Sequence, residues 1–198
     1  MINYFQTNWI EIVGAVLSLL YLFMSIKQNI SLWLFGFLAS AFYVVVFFET
    51  KFYADMSLQF YYLIISIYGY INWKYGTHQQ GKELPISNIS KSTMLQLLLA
   101  SVIIYFIYYI ILSKYTDSTI PIADSIVGML SVIGTWMLAR KIIENWLVWI
   151  IADALACGLF FYKELYPTAI LFIIYTLMAV VGYWQWKKTM KSKEIEQQ

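Results

Sequence analysis

The sequence predicts an all-α polytopic membrane protein of seven transmembrane helices, arranged as two three-helix repeats joined by a single helix. Three observations predict it. Of 198 residues, 61% are hydrophobic and only 12% charged. Seven apolar runs, none containing Lys or Arg, each span 18 to 22 residues. The chain also aligns with itself at an offset of 113 residues. A globular domain carries about 25% charged residues to solvate its surface. With half of that and a mean hydropathy of +0.67, most of this surface must face lipid.

A hydrocarbon core of about 30 Å takes about 20 apolar residues per helix, and charge or turn residues bound each run. The first covers 9 to 26 and stops at Lys27; the second, 30 to 48, lies between Asn29 and Glu49. The third, 56 to 73, runs from Asp55 to Lys74, and the fourth, 94 to 112, stops before Lys114. Pro121 opens the fifth, 122 to 139, which Arg140 and Lys141 close. Glu144 and Lys163 bracket the sixth, 145 to 162; Glu164 and Lys187 bracket the seventh, 165 to 186. Residues 74 to 93, with Gly, Pro, Ser and Asn, read as a surface loop. The chain thus divides into a first repeat (1–76), a cytoplasmic loop and linking helix (77–119), a second repeat (120–188) and a cytoplasmic tail (189–198).

Seven crossings put the termini on opposite sides, and Lys/Arg counts orient them. One side carries Lys51, Lys114 and Lys163; the other ten basic residues include Lys27, Lys74, Arg140, Lys141 and the run from Lys187 to Lys193. The C-terminus is therefore expected in the cytoplasm and the N-terminus outside, in a cytoplasmic (inner) membrane. The first residues lack a basic n-region and a cleavage site, so they read as mature protein.

Several function classes drop out. A net charge of +2 gives nucleic acid no purchase, and one cysteine makes no intrachain disulfide. No G-x-x-x-x-G-K-[ST] loop is present to drive pumping by ATP. His78 stands alone in the long loop and Cys157 alone in a span, so neither a metal nor another cofactor is expected. No nucleophile and base fall at a catalytic spacing, so no enzyme is expected.

The offset of 113 pairs Trp33 to Lys74 with Trp146 to Lys187 without a gap, and 13 of the 42 pairs are identical, Trp33/Trp146, Gly69/Gly182 and Trp73/Trp186 among them. With three spans per copy and one linking span, both copies enter the membrane from the same side. Parallel repeats of this kind are a transporter design, as in SWEET sugar carriers, with substrate near mid-membrane between the halves.

An Asp at the centre of a span costs on the order of 2.5–3.5 kcal/mol, and Asp153 is the one deep carboxylate. Glu11, Asp55 and Asp124 lie near span ends, where water reaches them. Asp153 follows Trp149 by four residues and Trp146 by seven, a spacing that puts all three on one stripe. Indole faces carry negative potential, so two indoles and a carboxylate suit a flat heteroaromatic cation. Trp146 also fits an interfacial aromatic belt. Their repeat counterparts are Trp33, Gly36 and Ser40, which makes the expected site asymmetric. Gln59, Tyr62 and Tyr175 add an amide and two hydroxyls that either bind ligand or tie helices.

At these residues the chain resembles the PnuC family of vitamin transporters. The resemblance spans essentially the whole chain and rests on Glu144-Asn145-Trp146-Leu147-Val148-Trp149 with Asp153, on Tyr53 and Gln59, on Ile67-Tyr68-Gly69-Tyr70 and on Tyr166. It implies a SWEET-like fold, a site in which Trp146 and Trp149 sandwich the substrate ring, and nicotinamide riboside as substrate, trapped after entry by a cytoplasmic kinase. Position 153 departs from the pattern: riboside-transporting members carry Asn where this chain has Asp. Thiamine, carried by other members, is likewise a flat cation.

A lone deep carboxylate offers no proton or sodium relay, so facilitated diffusion by alternating access is expected. A monocation gains about 2.3 kcal/mol per 100 mV of negative-inside potential. The rivals are a sugar carrier indifferent to Asp153 and a membrane receptor or scaffold without flux. No G-x-x-x-G pair is present, so a homo-oligomer would use other surfaces.

Overall fold

The computed structural model describes residues 9–49, 53–76 and 84–196, with side chains of a few terminal positions also outside the description. Among the described residues there are seven helices: α1 Trp9–Ile26, α2 Leu32–Glu49, α3 Tyr53–Tyr75, α4 Lys91–Tyr115, α5 Pro121–Ala139, α6 Asn145–Tyr162 and α7 Tyr166–Glu196. They carry no strand, only one isolated bridge between Ser87 and Ile142. The all-α expectation therefore holds. Five of the helices, α2 and α4 to α7, are long and apolar enough to cross a membrane, and α1 contributes a shorter apolar segment, Val13–Ile26.

Local signals set the ends. Ser90 caps α4, its hydroxyl accepting the Thr93 N–H at 3.1 Å. Pro121 opens α5, where its missing N–H would have had no partner. α7 runs ten residues past the expected span because Lys, Met and Glu favour helix whether or not lipid surrounds them. The strongest endings are the reversals after α1, α5 and α6. Gln28, Lys141 and Glu164 adopt φ of 55°, 52° and 59°. In each, two backbone bonds fold the last carbonyls back, for example Lys141 N–H to Leu138 O at 2.9 Å and Ile142 N–H to Met137 O at 3.0 Å. Glycine takes that conformation without steric cost, whereas other residues lose roughly 1 kcal/mol or more. Glu164→Gly is thus expected to raise stability by about 1 kcal/mol, read as a higher melting temperature in detergent.

By packing, the chain falls into two compact units, Met1–Glu83 and Leu84–Gln198. In the first, α2 packs against both α1 and α3. In the second, α4 packs on α5, α5 on α6 and α6 on α7, so the linking helix belongs with the second unit. A cluster of Ile133, Met137 and Ile142, flanked by Ile89, Leu97 and Val148, fills the α4–α5–α6 junction.

The repeat is written into the contacts. Trp33 meets Trp73 edge to face at 5.6 Å and 89°, and Trp146 meets Trp186 at 5.6 Å and 86°. Gly69 and Gly182, also 113 apart, are the seats for those indoles; a Cβ at Gly182 would lie 2.6 Å from the Trp146 ring. Lys27 lies over Phe23 at 4.3 Å and Arg140 over Trp136 at 5.0 Å, again equivalent pairs. The turns after α1 and α5 repeat bond for bond, from Gln28 N–H to Ser25 O through Phe35 N–H to Ser31 O in one and Lys141 N–H to Leu138 O through Val148 N–H to Glu144 O in the other.

Candidate functional site

α6 carries the residues to which the sequence draws attention, and the structure sorts them by neighbour. Trp146 is 1% exposed, sealed between Gly182 and Trp186 of α7, with its indole N–H unpartnered. Trp33 does the same in the first unit at 2% exposure. Trp149 turns the other way, onto α5: a Cβ at Gly134 would sit 3.1 Å from its Cε2 and Nε1. It stays half-buried. Asp153, one turn further along α6, is only 7% exposed. Among the described residues nothing hydrogen-bonds to its carboxylate or pairs with it.

A buried carboxylate without a partner is costly unless something supplies charge or hydrogen bonds. Lys163, the cation nearest along the helix, is already committed: its Nζ donates to both Asp124 oxygens at 3.0 and 3.1 Å, and the Ser118 hydroxyl donates to Asp124 at 2.7 Å. Asp124, expected as a solvated helix end, is instead the ion-paired tie between the start of α5 and the end of α6.

The other expected residues fall as follows. In the first unit, Ser40 is buried on α2, while Gln59 and Tyr62 are half-buried on α3. The Tyr62 ring lies 5.7 Å from that of Tyr61, and Ser66 donates to the Tyr62 carbonyl at 2.7 Å. In the second unit, Tyr175 of α7 meets Phe172 edge to face at 5.5 Å. The Cys157 thiol donates to the Ala169 carbonyl at 3.5 Å, a helix-to-helix contact. No cluster of His, Cys, Asp or Glu able to hold a metal occurs among the described residues. His78 and the side chains of Glu11, Tyr53 and Asp55 lie outside them.

Glu144 and Asn145 also acquire a place. Residues 84 to 90 form a strap on the α5–α6 turn, where the sequence suggests only surface loop. Ser87 donates to Lys141 O and accepts from Ile143 N–H, both at 3.0 Å, and Ile89 N–H donates to the Glu144 carboxylate at 3.0 Å. Asn145, fully buried, donates to Ile142 O at 2.6 Å. In the first unit, the matching turn closes on itself, with Ser31 N–H donating to Asn29 Oδ1 at 2.9 Å. Glu144→Ala should therefore cost about 1–2 kcal/mol of stability, and Glu144→Gln, which keeps an acceptor, much less. Hydrogen exchange at Ile89 checks this, rising in the first variant and not in the second.

Sequence reasoning missed Tyr21. In the first unit, a Cβ at Gly36 would meet the Tyr21 ring at 2.9 and 3.0 Å, with Ser66 Oγ at 3.4 Å. Tyr21 is the repeat counterpart of Gly134, and Gly36 of Trp149. The bulk absent from Gly36 is supplied by the facing helix, so the two units hold the same ring-on-glycine contact with donor and seat exchanged.

Comparison with known proteins places the chain among transporters. A family model described as nicotinamide mononucleotide transporter matches residues 8–188. The nicotinamide riboside transporter PnuC of Escherichia coli is 24% identical, over 96% of this chain and 89% of the relative. That of Neisseria mucosa is 24% identical over 93% and 74%. A crystal structure of the vitamin B3 transporter PnuC superposes with a TM-score of 0.74 at 23% identity, covering 93% of this chain and 83% of that one. The likeness to that structure is one of fold.

Proposed function

The chain belongs to the nicotinamide mononucleotide transporter family, and from that premise we propose that it carries nicotinamide riboside across a cytoplasmic membrane as a facilitator. It is a multi-pass membrane transporter and not an enzyme. The riboside reading takes its substrate from the relatives' assignment, and one observation carries it: the buried, unpartnered Asp153 carboxylate one turn from the half-open Trp149 ring. A pyridinium satisfies both, stacking on the indole and neutralising the anion. A mononucleotide would bring a phosphate dianion, which a buried carboxylate repels.

In this reading Trp149 stacks on the ring and Asp153 pairs with its charge. Ser40, Gln59, Tyr62 and Tyr175 offer neutral hydrogen bonds, and Trp146 acts by fixing α6 against α7. Transport proceeds by alternating access, with the N-terminus outside and the C-terminus in the cytoplasm. A membrane potential drives the cation inward by about 2.3 kcal/mol per 100 mV, and a cytoplasmic kinase traps the product.

The test is a titration of the purified protein with nicotinamide riboside and thiamine, read by tryptophan fluorescence, followed by uptake into vesicles under an imposed potential. Saturable quenching by the riboside and potential-driven uptake are expected. Trp149→Ala should weaken binding about tenfold, by loss of about 1.4 kcal/mol of stacking and cation–π attraction. Selective quenching by thiamine would change the substrate, and binding without flux would make the protein a receptor.

A further inference from the structure

Two contacts fix α6 against its neighbours in the second unit. Val148 packs on the cluster of Ile133, Met137 and Ile142, and Trp146 is sealed against Gly182 and Trp186 of α7. Trp149 is held by neither. Its ring is half-buried, and its Cε2 and Nε1 atoms lie 3.1 Å from where a Cβ at Gly134 would be. The first unit fills the same two repeat positions in reverse: Tyr21 of α1 stands where α5 has Gly134, and Gly36 of α2 stands where α6 has Trp149. Each unit thus holds one ring against one glycine, because so close an approach leaves no room for a side chain on both helices. Gly134 is what lets the ring of the second unit come from α6, the helix that also carries Asp153.

We propose that Gly134 is a positioning residue for substrate: its bare backbone sets where the Trp149 indole lies, and with it how closely a ligand ring stacks. This deepens the proposed function and rests on its assignment of Trp149 to the site. A methyl group at 134 would press on the indole, so something has to yield by a few tenths of an ångström. The packed helices resist. The ring yields instead, toward its open side, which is the side a ligand must use. Dispersion attraction falls steeply with a gap or an overlap of that size, so stacking weakens. Alanine meanwhile favours the helix over glycine, so fold and affinity part company.

Binding of nicotinamide riboside and thiamine is measured by calorimetry on the purified full-length wild type, Gly134→Ala, Trp149→Ala and the double variant. For the ligand the wild type binds, Gly134→Ala is expected to weaken affinity about three- to tenfold with Trp149 present and less than about twofold with Ala at 149, as for coupled side chains in contact. Gly128→Ala, whose methyl would meet the Tyr108 ring of α4 at 2.8 Å, is the packing control and should leave affinity within about twofold. In protein labelled with fluorotryptophan, the fluorine resonance that Trp149→Phe removes should shift in Gly134→Ala before any ligand is added. Unchanged affinity, equal losses in the two backgrounds, a stationary resonance or a Gly134→Ala protein that does not fold overturns the assignment. So does an affinity loss in Gly128→Ala as large as that in Gly134→Ala. A wild type that binds neither ligand overturns the substrate reading itself and the inference with it, whereas the other failures leave that reading standing.

Discussion

Trp146→Ala is expected to lower the stability of the protein by about 3–5 kcal/mol, the range for emptying a buried aromatic site. The indole is 1% exposed, touches Gly182 and meets Trp186 edge to face, so its removal leaves a void along the α6–α7 contact that the glycine backbone cannot fill. A fall in melting temperature in detergent, measured without ligand, checks it. Trp33→Ala should cost as much, because the same contact with Trp73 and Gly69 recurs in the first unit. A Trp146→Ala protein as stable as wild type would show that α6 and α7 are held by something other than this indole.

Asp153→Asn is expected to move stability and affinity in opposite directions. The carboxylate is buried on α6 and no described residue pairs with it, so replacing it by an amide should stabilise the ligand-free protein by up to about 3 kcal/mol, the cost of an Asp at the centre of a span. The same change removes the counter-charge for a cationic substrate and should weaken nicotinamide riboside by about 1–3 kcal/mol, which is about 5- to 150-fold in dissociation constant. Melting temperature and calorimetric affinity, taken on one preparation, test both halves. A purely structural carboxylate would lose stability and leave affinity unchanged.

Much of the fold is legible in the sequence because hydrophobic length is a local property. The first and sixth runs, 9 to 26 and 145 to 162, coincide with α1 and α6. The seventh overshoots because lipid sets the span and helix propensity sets the helix, and the two part company at Lys187. The offset of 113 is equally legible, down to Gln28 and Lys141 sharing a left-handed turn. What the sequence hides is which neighbour each face meets. Trp146 and Trp149 are three residues apart on one helix, and only the position of α5 and α7 sends one to Gly182 and the other to Gly134. The strap from 84 to 90 and the Lys163 tie to Asp124 join residues tens of positions apart, beyond the reach of any period. Tyr21 could have been found by carrying the repeat alignment back past Trp33, where a tyrosine faces a glycine.

The uninterrupted length of α7 makes it a lever. Its 31 residues reach about 46 Å at about 1.5 Å each, against a hydrocarbon core of about 30 Å. The final turns therefore magnify any tilt of the buried portion into displacement of the tip. A spin label at Met190 would convert a few degrees of tilt in α7 into a displacement of the tip large enough to measure, and so tests whether α7 moves when a ligand is added.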